Sequence, residues 1–91
     1  MMSAIKVYST QFCPYCVRAK QLLAQKNAAY EEIRVDLDPQ QRVIMMEKSG
    51  RRTVPQIWIG DRHIGGFDEL WALDRAGELD PLLATVNGSP Q

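Results

Sequence analysis

The chain has 91 residues, 45% of them hydrophobic, with 11 basic and 11 acidic side chains and a formal net charge of zero. That length allows one domain with a small core, and the hydrophobic fraction excludes a disordered chain; the balanced charge lacks the footprint of a nucleic-acid binder. No apolar run reaches the length of a membrane span, and Met1-Met2-Ser3-Ala4-Ile5-Lys6 contains no signal-peptide apolar region, so a cytoplasmic protein without membrane association is expected.

Residues 4–8 are rich in strand formers and too short for a helix, so they read as a first strand. Cys13-Pro14-Tyr15-Cys16 follows, and the helical pattern then runs to residue 26, with Cys16, Ala19, Leu22 and Leu23 forming an apolar stripe. Pro14 suits the first helical position, because its missing N–H would have no intrahelical partner there. Cys13 then falls at or next to the N-cap, where unpaired N–H groups and the positive end of the helix dipole favour a thiolate. Such settings lower a cysteine pKa from about 8.5 to roughly 3.5–7.5. Cys16 lies on nearly the same face and deeper in the protein. One thiol is expected to be exposed and activated, and the other to be close enough to attack a disulfide formed on the first. Lys26-Asn27 ends the helix, since Asn can adopt the left-handed conformation.

Residues 30–37 alternate, with Ile33, Val35 and Leu37 on one face, and predict a second strand parallel to the first through a right-handed crossover. Asp38 as N-cap, Pro39 at the first position and Gln41 completing a capping box start a second helix, which Ser49-Gly50 ends. Val43, Ile44, Met45 and Met46 supply its apolar surface. Thr53-Val54-Pro55 leads into a strand at 56–59, Gly60-Asp61 makes a tight hairpin turn, and 62–64 return. After Gly65-Gly66, residues 68–76 form a helix with Leu70 and Leu73 inward, closed by Gly77. Asp80-Pro81 cap a short final helix to residue 83, and 86–91 read as a frayed tail. The order is βαβαββα plus a short C-terminal helix: an α/β fold with a mixed four-stranded sheet and helices on both faces, in a single domain over 1–91.

A structural zinc site normally needs four ligands, whereas this chain has two cysteines and one histidine, and His63 reads as a half-exposed strand residue. No metal site is therefore expected. A static disulfide is disfavoured in a reducing compartment and at a helix start. C-x-x-C beside a βαβ pattern reads as a redox motif.

Taken together, Cys13-Pro14-Tyr15-Cys16, Thr53-Val54-Pro55 and Gly65-Gly66-Phe67-Asp68 resemble the motifs of dithiol glutaredoxins, specifically the small bacterial glutaredoxin 3 type. The similarity runs from residue 5 to about 83 and takes in Ser49-Gly50-Arg51 and Asp80-Pro81-Leu82-Leu83. The resemblance implies a thioredoxin fold, a cytosolic protein, and glutathione as electron donor and co-substrate, with no tightly bound cofactor. It implies catalysis by Cys13 and Cys16, and a cis Val54-Pro55 bond facing them. Val54 would pair through its N–H and C=O with the cysteinyl backbone of glutathione, a one-residue strand addition beside Thr53. Gly66 would allow close backbone approach. The Phe67 N–H and the Asp68 side chain would hold the γ-glutamyl end, Asp68 having a plain helix cap as its alternative role. Tyr15 would flank the glycyl side, and Arg42 would pair with the glycyl carboxylate or stand as a surface arginine on a solvated helix.

One position departs from the family pattern: Thr10 stands where a lysine is usual, three residues before the first cysteine. Lys48, Arg51 and Arg52 are the candidates to replace that charge. The implied partners are glutathione and glutathionylated or disulfide-containing proteins, ribonucleotide reductase among the candidates, met by a monomer. Two alternatives stay open: a disulfide reductase served by thioredoxin reductase, and an iron–sulfur carrier in which a dimer shares one cluster through two Cys13 thiolates and two glutathiones. The stiff, bulky Pro14-Tyr15 insert weighs against the second.

Overall fold

A computed structural model describes residues 4–87. The elements run β1 (Ile5–Ser9), α1 (Pro14–Gln25), β2 (Glu31–Arg34), α2 (Pro39–Ser49), β3 (Gln56–Ile59), β4 (Arg62–Gly65), α3 (Phe67–Arg75) and α4 (Leu79–Asn87). The sheet order is β2-β1-β3-β4; β1 and β2 are parallel and the other neighbours antiparallel, which makes the expected mixed four-stranded sheet.

Strand alternation divides the core in two. Ile5 and Val7 lie opposite Ile59 and Ile57, and on this face they pack with Ala19, Leu22 and Leu23 of α1, Leu70 of α3 and Leu79 and Leu83 of α4. On the other face Tyr8 packs with Val35 and with Met45 of α2, beside half-buried Ile33, Val54 and Trp58. The buried residues of α1 are Cys16, Ala19, Leu22 and Leu23, the stripe its spacing predicts, and Asn27 leaves the helix at φ 55°. Asp38 accepts from the N–H groups of Gln40 and Gln41 at the start of α2. Among the described residues no helix is long and apolar enough to cross a membrane.

Two elements, β2 and α4, differ from expectation by more than one residue. The second strand ends at Arg34 rather than continuing to residue 37, and Leu37 is 72% exposed instead of sharing a face with Ile33 and Val35. Arg34 grips Asp36 through two hydrogen bonds of 2.8 and 2.7 Å, and the Leu37 N–H folds back onto the Arg34 carbonyl. The Gln11 N–H adds a third donor, and the carboxyl of Asp36 is held down at about 2, chiefly by Arg34. The last helix starts earlier than Asp80 and ends later than residue 83. Its first turn closes from the Leu82 N–H to the Glu78 carbonyl, while buried Leu79 anchors it and Lys26 holds Asp80 at 3.1 Å. Pro81 is still tolerated, because a first-turn N–H has no intrahelical partner to lose. The tail expected to fray from residue 86 is helical through Asn87, since Val86 packs on the core; residues 88–91 lie outside the described residues.

Glu32 ties β2 to its surroundings. It accepts from Lys20 at 2.8 Å and from the buried Ser9 hydroxyl at 2.6 Å, and these bonds hold its carboxyl below the ordinary 4.5. A depressed folded-state pKa contributes stability above the unfolded value, and that contribution is lost as pH falls through the folded one. Glu32→Gln should therefore be less stable than wild type near neutral pH, with the gap closing below the ordinary carboxylate range. Urea unfolding of both proteins at about pH 7 and about pH 3 measures this; a gap of constant size would refute it.

Candidate active site

Cys13 is the N-cap of α1, with extended backbone at φ −143° and ψ 97°, and Pro14 begins the helix behind it. The Cys16 N–H donates to Cys13 Sγ at 3.1 Å. The two sulfurs form a disulfide, with Cα atoms 5.1 Å apart. Cys13 keeps 8% of its surface in solvent and Cys16 none. Solvent access thus falls to the expected cysteine, but through a narrow window rather than on an exposed side chain. The covering segment is Val54, whose carbonyl oxygen lies 3.8 Å from Cys13 Sγ. On reduction, the Cys16 N–H and the α1 N-terminus both act on Cys13, and both favour its thiolate.

The Val54–Pro55 bond is cis. This segment and the start of α3 enclose a groove of about 280 Å³. Thr53, Val54 and Pro55 line it from one element, Gly66, Phe67 and Asp68 from another, and Tyr15 from between the cysteines. Tyr15 is fixed there by Phe67, with ring centroids 6.4 Å apart, and by Arg18, whose guanidinium sits 5.5 Å from the Tyr15 ring centre. Every expected contact residue except Arg42 is brought to this groove; Arg42 is half-buried on α2 and is not among the lining residues.

Arg51 and Glu69 complete the lining. Of the three cations considered as substitutes for the missing lysine, Arg51 is the one found in the groove, while Lys48 lines a separate depression with Tyr8 and Trp58. Arg51 pairs with Glu69 at 3.4 Å. The same Glu69 oxygen accepts from the Gly66 N–H at 2.6 Å, and that bond, with help from Arg51, holds the Glu69 carboxyl below its usual range. Gly66 is therefore the N-cap of α3 and Glu69 supplies the oxygen; Asp68 sits inside the first turn, which leaves its carboxylate out of the capping role. Glu69 could have been found from its place three residues after Gly66, the spacing of a capping box.

Behind the groove, the Gln56 side chain is fully buried and donates from Nε2 to the Thr53 carbonyl at 3.0 Å and to Thr53 Oγ1 at 3.2 Å. Its Oε1 lies 2.8 Å from Nε2 of His63. The His63 ring in turn lies against Trp58, with centroids 4.6 Å apart. Neither Gln56 nor His63 is signalled by the sequence as part of a site.

The glutaredoxin family model matches residues 5–64. A glutaredoxin of Pseudomonas aeruginosa is 52% identical over 83 residues, covering 91% of this chain and 99% of that one. Glutaredoxin 3 of Escherichia coli is 49% identical over 82 residues, covering 90% and 99%. Among solved structures, a buckwheat glutaredoxin–glutathione complex superposes with a TM-score of 0.87 at 34% identity, over 93% of this chain and 80% of that one. A glutaredoxin of Brucella melitensis gives 0.80 at 47% identity, over 99% and 96%. A family model spanning more than half of the chain, with relatives this similar over nearly their whole length, makes the chain a member of the glutaredoxin family, with the thioredoxin fold of its structural neighbours.

Proposed function

We propose that the protein is a glutathione-dependent thiol–disulfide oxidoreductase of the cytoplasm, reducing glutathione mixed disulfides and protein disulfides through Cys13 and Cys16. The observation that carries this reading is the juxtaposition of an N-cap cysteine with a groove of about 280 Å³, Val54 belonging to both. Cys13 thiolate attacks the glutathione sulfur of a mixed disulfide; the Cys13–glutathione bond forms, and the substrate thiolate leaves and takes a proton. A second glutathione thiolate then attacks the bound glutathione sulfur, releasing oxidised glutathione and Cys13 thiolate. With a protein disulfide, Cys13 forms the mixed disulfide and Cys16 displaces the substrate, leaving the Cys13–Cys16 bond for two glutathiones to reduce.

In this scheme Val54 pairs with the cysteinyl backbone, Phe67 and Asp68 hold the γ-glutamyl end, Tyr15 flanks the glycyl side, and Thr53 lines the groove beside Val54. Arg51 lines the groove and pairs with Glu69 on the turn that carries Phe67 and Asp68, so it adds positive charge beside the γ-glutamyl end, and Arg42 remains the residue proposed to meet the glycyl carboxylate. Glutathione is the co-substrate, no resident cofactor is required, and the protein works as a monomer on glutathionylated or disulfide-containing proteins.

The test is turnover of a glutathionylated peptide with glutathione as sole donor. Sustained turnover is expected. Failure with glutathione, together with reduction of protein disulfides when thioredoxin reductase is supplied, would move the function to the other reductase class.

A further inference from the structure

The three hydrogen bonds of Gln56 admit only one arrangement. The Thr53 carbonyl can only accept, so the Gln56 group facing it at 3.0 Å must be the NH2. Oε1 therefore faces His63, and His63 Nε2 must carry a proton to meet it at 2.8 Å. The second Gln56 hydrogen goes to Thr53 Oγ1 at 3.2 Å, which makes that oxygen an acceptor on its buried side. Its own hydrogen is left to point elsewhere, and Thr53 lines the groove.

We infer that Gln56 and His63 are positioning residues, a relay that makes the Thr53 hydroxyl a hydrogen-bond donor aimed into the groove and so selects an acceptor group of the ligand. The inference rests on the glutathione reading, in which the ligand brings carboxylate and carbonyl acceptors. Two features give the relay its direction. Gln56 is fully buried, so its amide has no water with which to satisfy a flipped orientation. His63 is held by its ring contact with Trp58, its cross-strand partner, which keeps Nε2 at Gln56.

Gln56→Glu tests the direction of the relay with little change of shape. A carboxylate still accepts from His63, but on the Thr53 side it can only accept: the Thr53 carbonyl loses its donor, and the Thr53 hydroxyl turns inward to donate and offers the groove only lone pairs. His63→Phe keeps a ring against Trp58 and removes the donor. The substrates are one peptide carrying either a glutathione or a mercaptoethanol mixed disulfide, and selectivity is the ratio of their kcat/KM values. Gln56→Glu should lower that selectivity about tenfold and His63→Phe about threefold, both through KM for the glutathionyl substrate with kcat nearly unchanged.

Nitrogen-correlated NMR of wild-type His63 should find the proton on Nε2. A neutral ring protonated only on Nδ1 would overturn the relay whatever the variants do. A wild type with no preference for the glutathionyl substrate would overturn the glutathione reading itself. A preference that survives intact in Gln56→Glu would overturn only the role of Gln56 and His63.

Discussion

Cys13→Ser is expected to abolish reduction of both glutathionylated peptides and protein disulfides, lowering single-turnover rates by more than about a thousandfold. A serine hydroxyl at the α1 N-cap is not ionised near neutral pH, and no disulfide can form on it. Cys16→Ser should behave differently: removal of glutathione from a peptide persists, while reduction of protein disulfides loses most of its rate. The asymmetry follows from the geometry. Cys13 alone keeps contact with solvent, accepts the Cys16 N–H and lies beside Val54. Cys16 is sealed beneath it and can meet only a sulfur already joined to Cys13. Quenched single-turnover assays with each variant separate the two steps. Residual activity in Cys13→Ser on either substrate would sink the assignment of the nucleophile, and a Cys16→Ser protein inactive on the glutathionylated peptide would show that both sulfurs are needed for one step.

Most of the architecture was legible because its determinants are local. The α1 stripe, the Asp38 cap, and the Gly60-Asp61 turn with Gly60 at φ 63° each depend on a few consecutive residues. The misplaced boundaries depend on side-chain contacts that no motif announces. Asp36 ends β2 in the grip of Arg34, with a further bond from Gln11 in the loop before α1, and Asp80 is drawn to Lys26 at the end of α1. The site divides in the same way. Cys13, Cys16, Val54, Pro55 and the α3 start could be named from motifs, because each motif carries its own backbone conformation. The choice among the cations could not, since whether Arg42 or Arg51 reaches the groove depends on how α2 and the segment after it are laid against α3. Gln56 and His63 stayed hidden for a related reason. They meet across the β3–β4 pair, where the register shifts between Ile57 and Trp58, and a polar residue starting a strand gives no hint of such a partner.

Gly65→Ala should lower stability by about 2–4 kcal/mol and raise KM for a glutathionylated peptide, with kcat less affected. Gly65 ends β4 at φ 117°, a conformation that costs a side-chain-bearing residue on the order of 1–3 kcal/mol. A Cβ there would also lie 2.6 Å from Glu69 Oε1. The carboxylate is the far end of a flexible side chain and can swing away, so the contact itself is cheaply relieved. What is lost is the bond it leaves behind: Glu69 Oε1 accepts the Gly66 N–H at 2.6 Å and pairs with Arg51 at 3.4 Å. Without that oxygen the N-cap of α3 is open, at a cost of roughly 1 kcal/mol. Arg51 and the first turn carrying Phe67 and Asp68 lose their anchor at the same time. The cysteines lie on α1 and keep their own hydrogen bond, so the chemical step should be affected less than binding. Gly50→Ala separates the two effects: Gly50 also has a positive φ, 71°, but no atom lies within 4 Å of its missing Cβ. It should lose about 1–2 kcal/mol and leave KM unchanged. Denaturant unfolding and steady-state kinetics on both variants decide the matter, and equal stability losses with equal KM values would mean that Glu69 does not organise the groove.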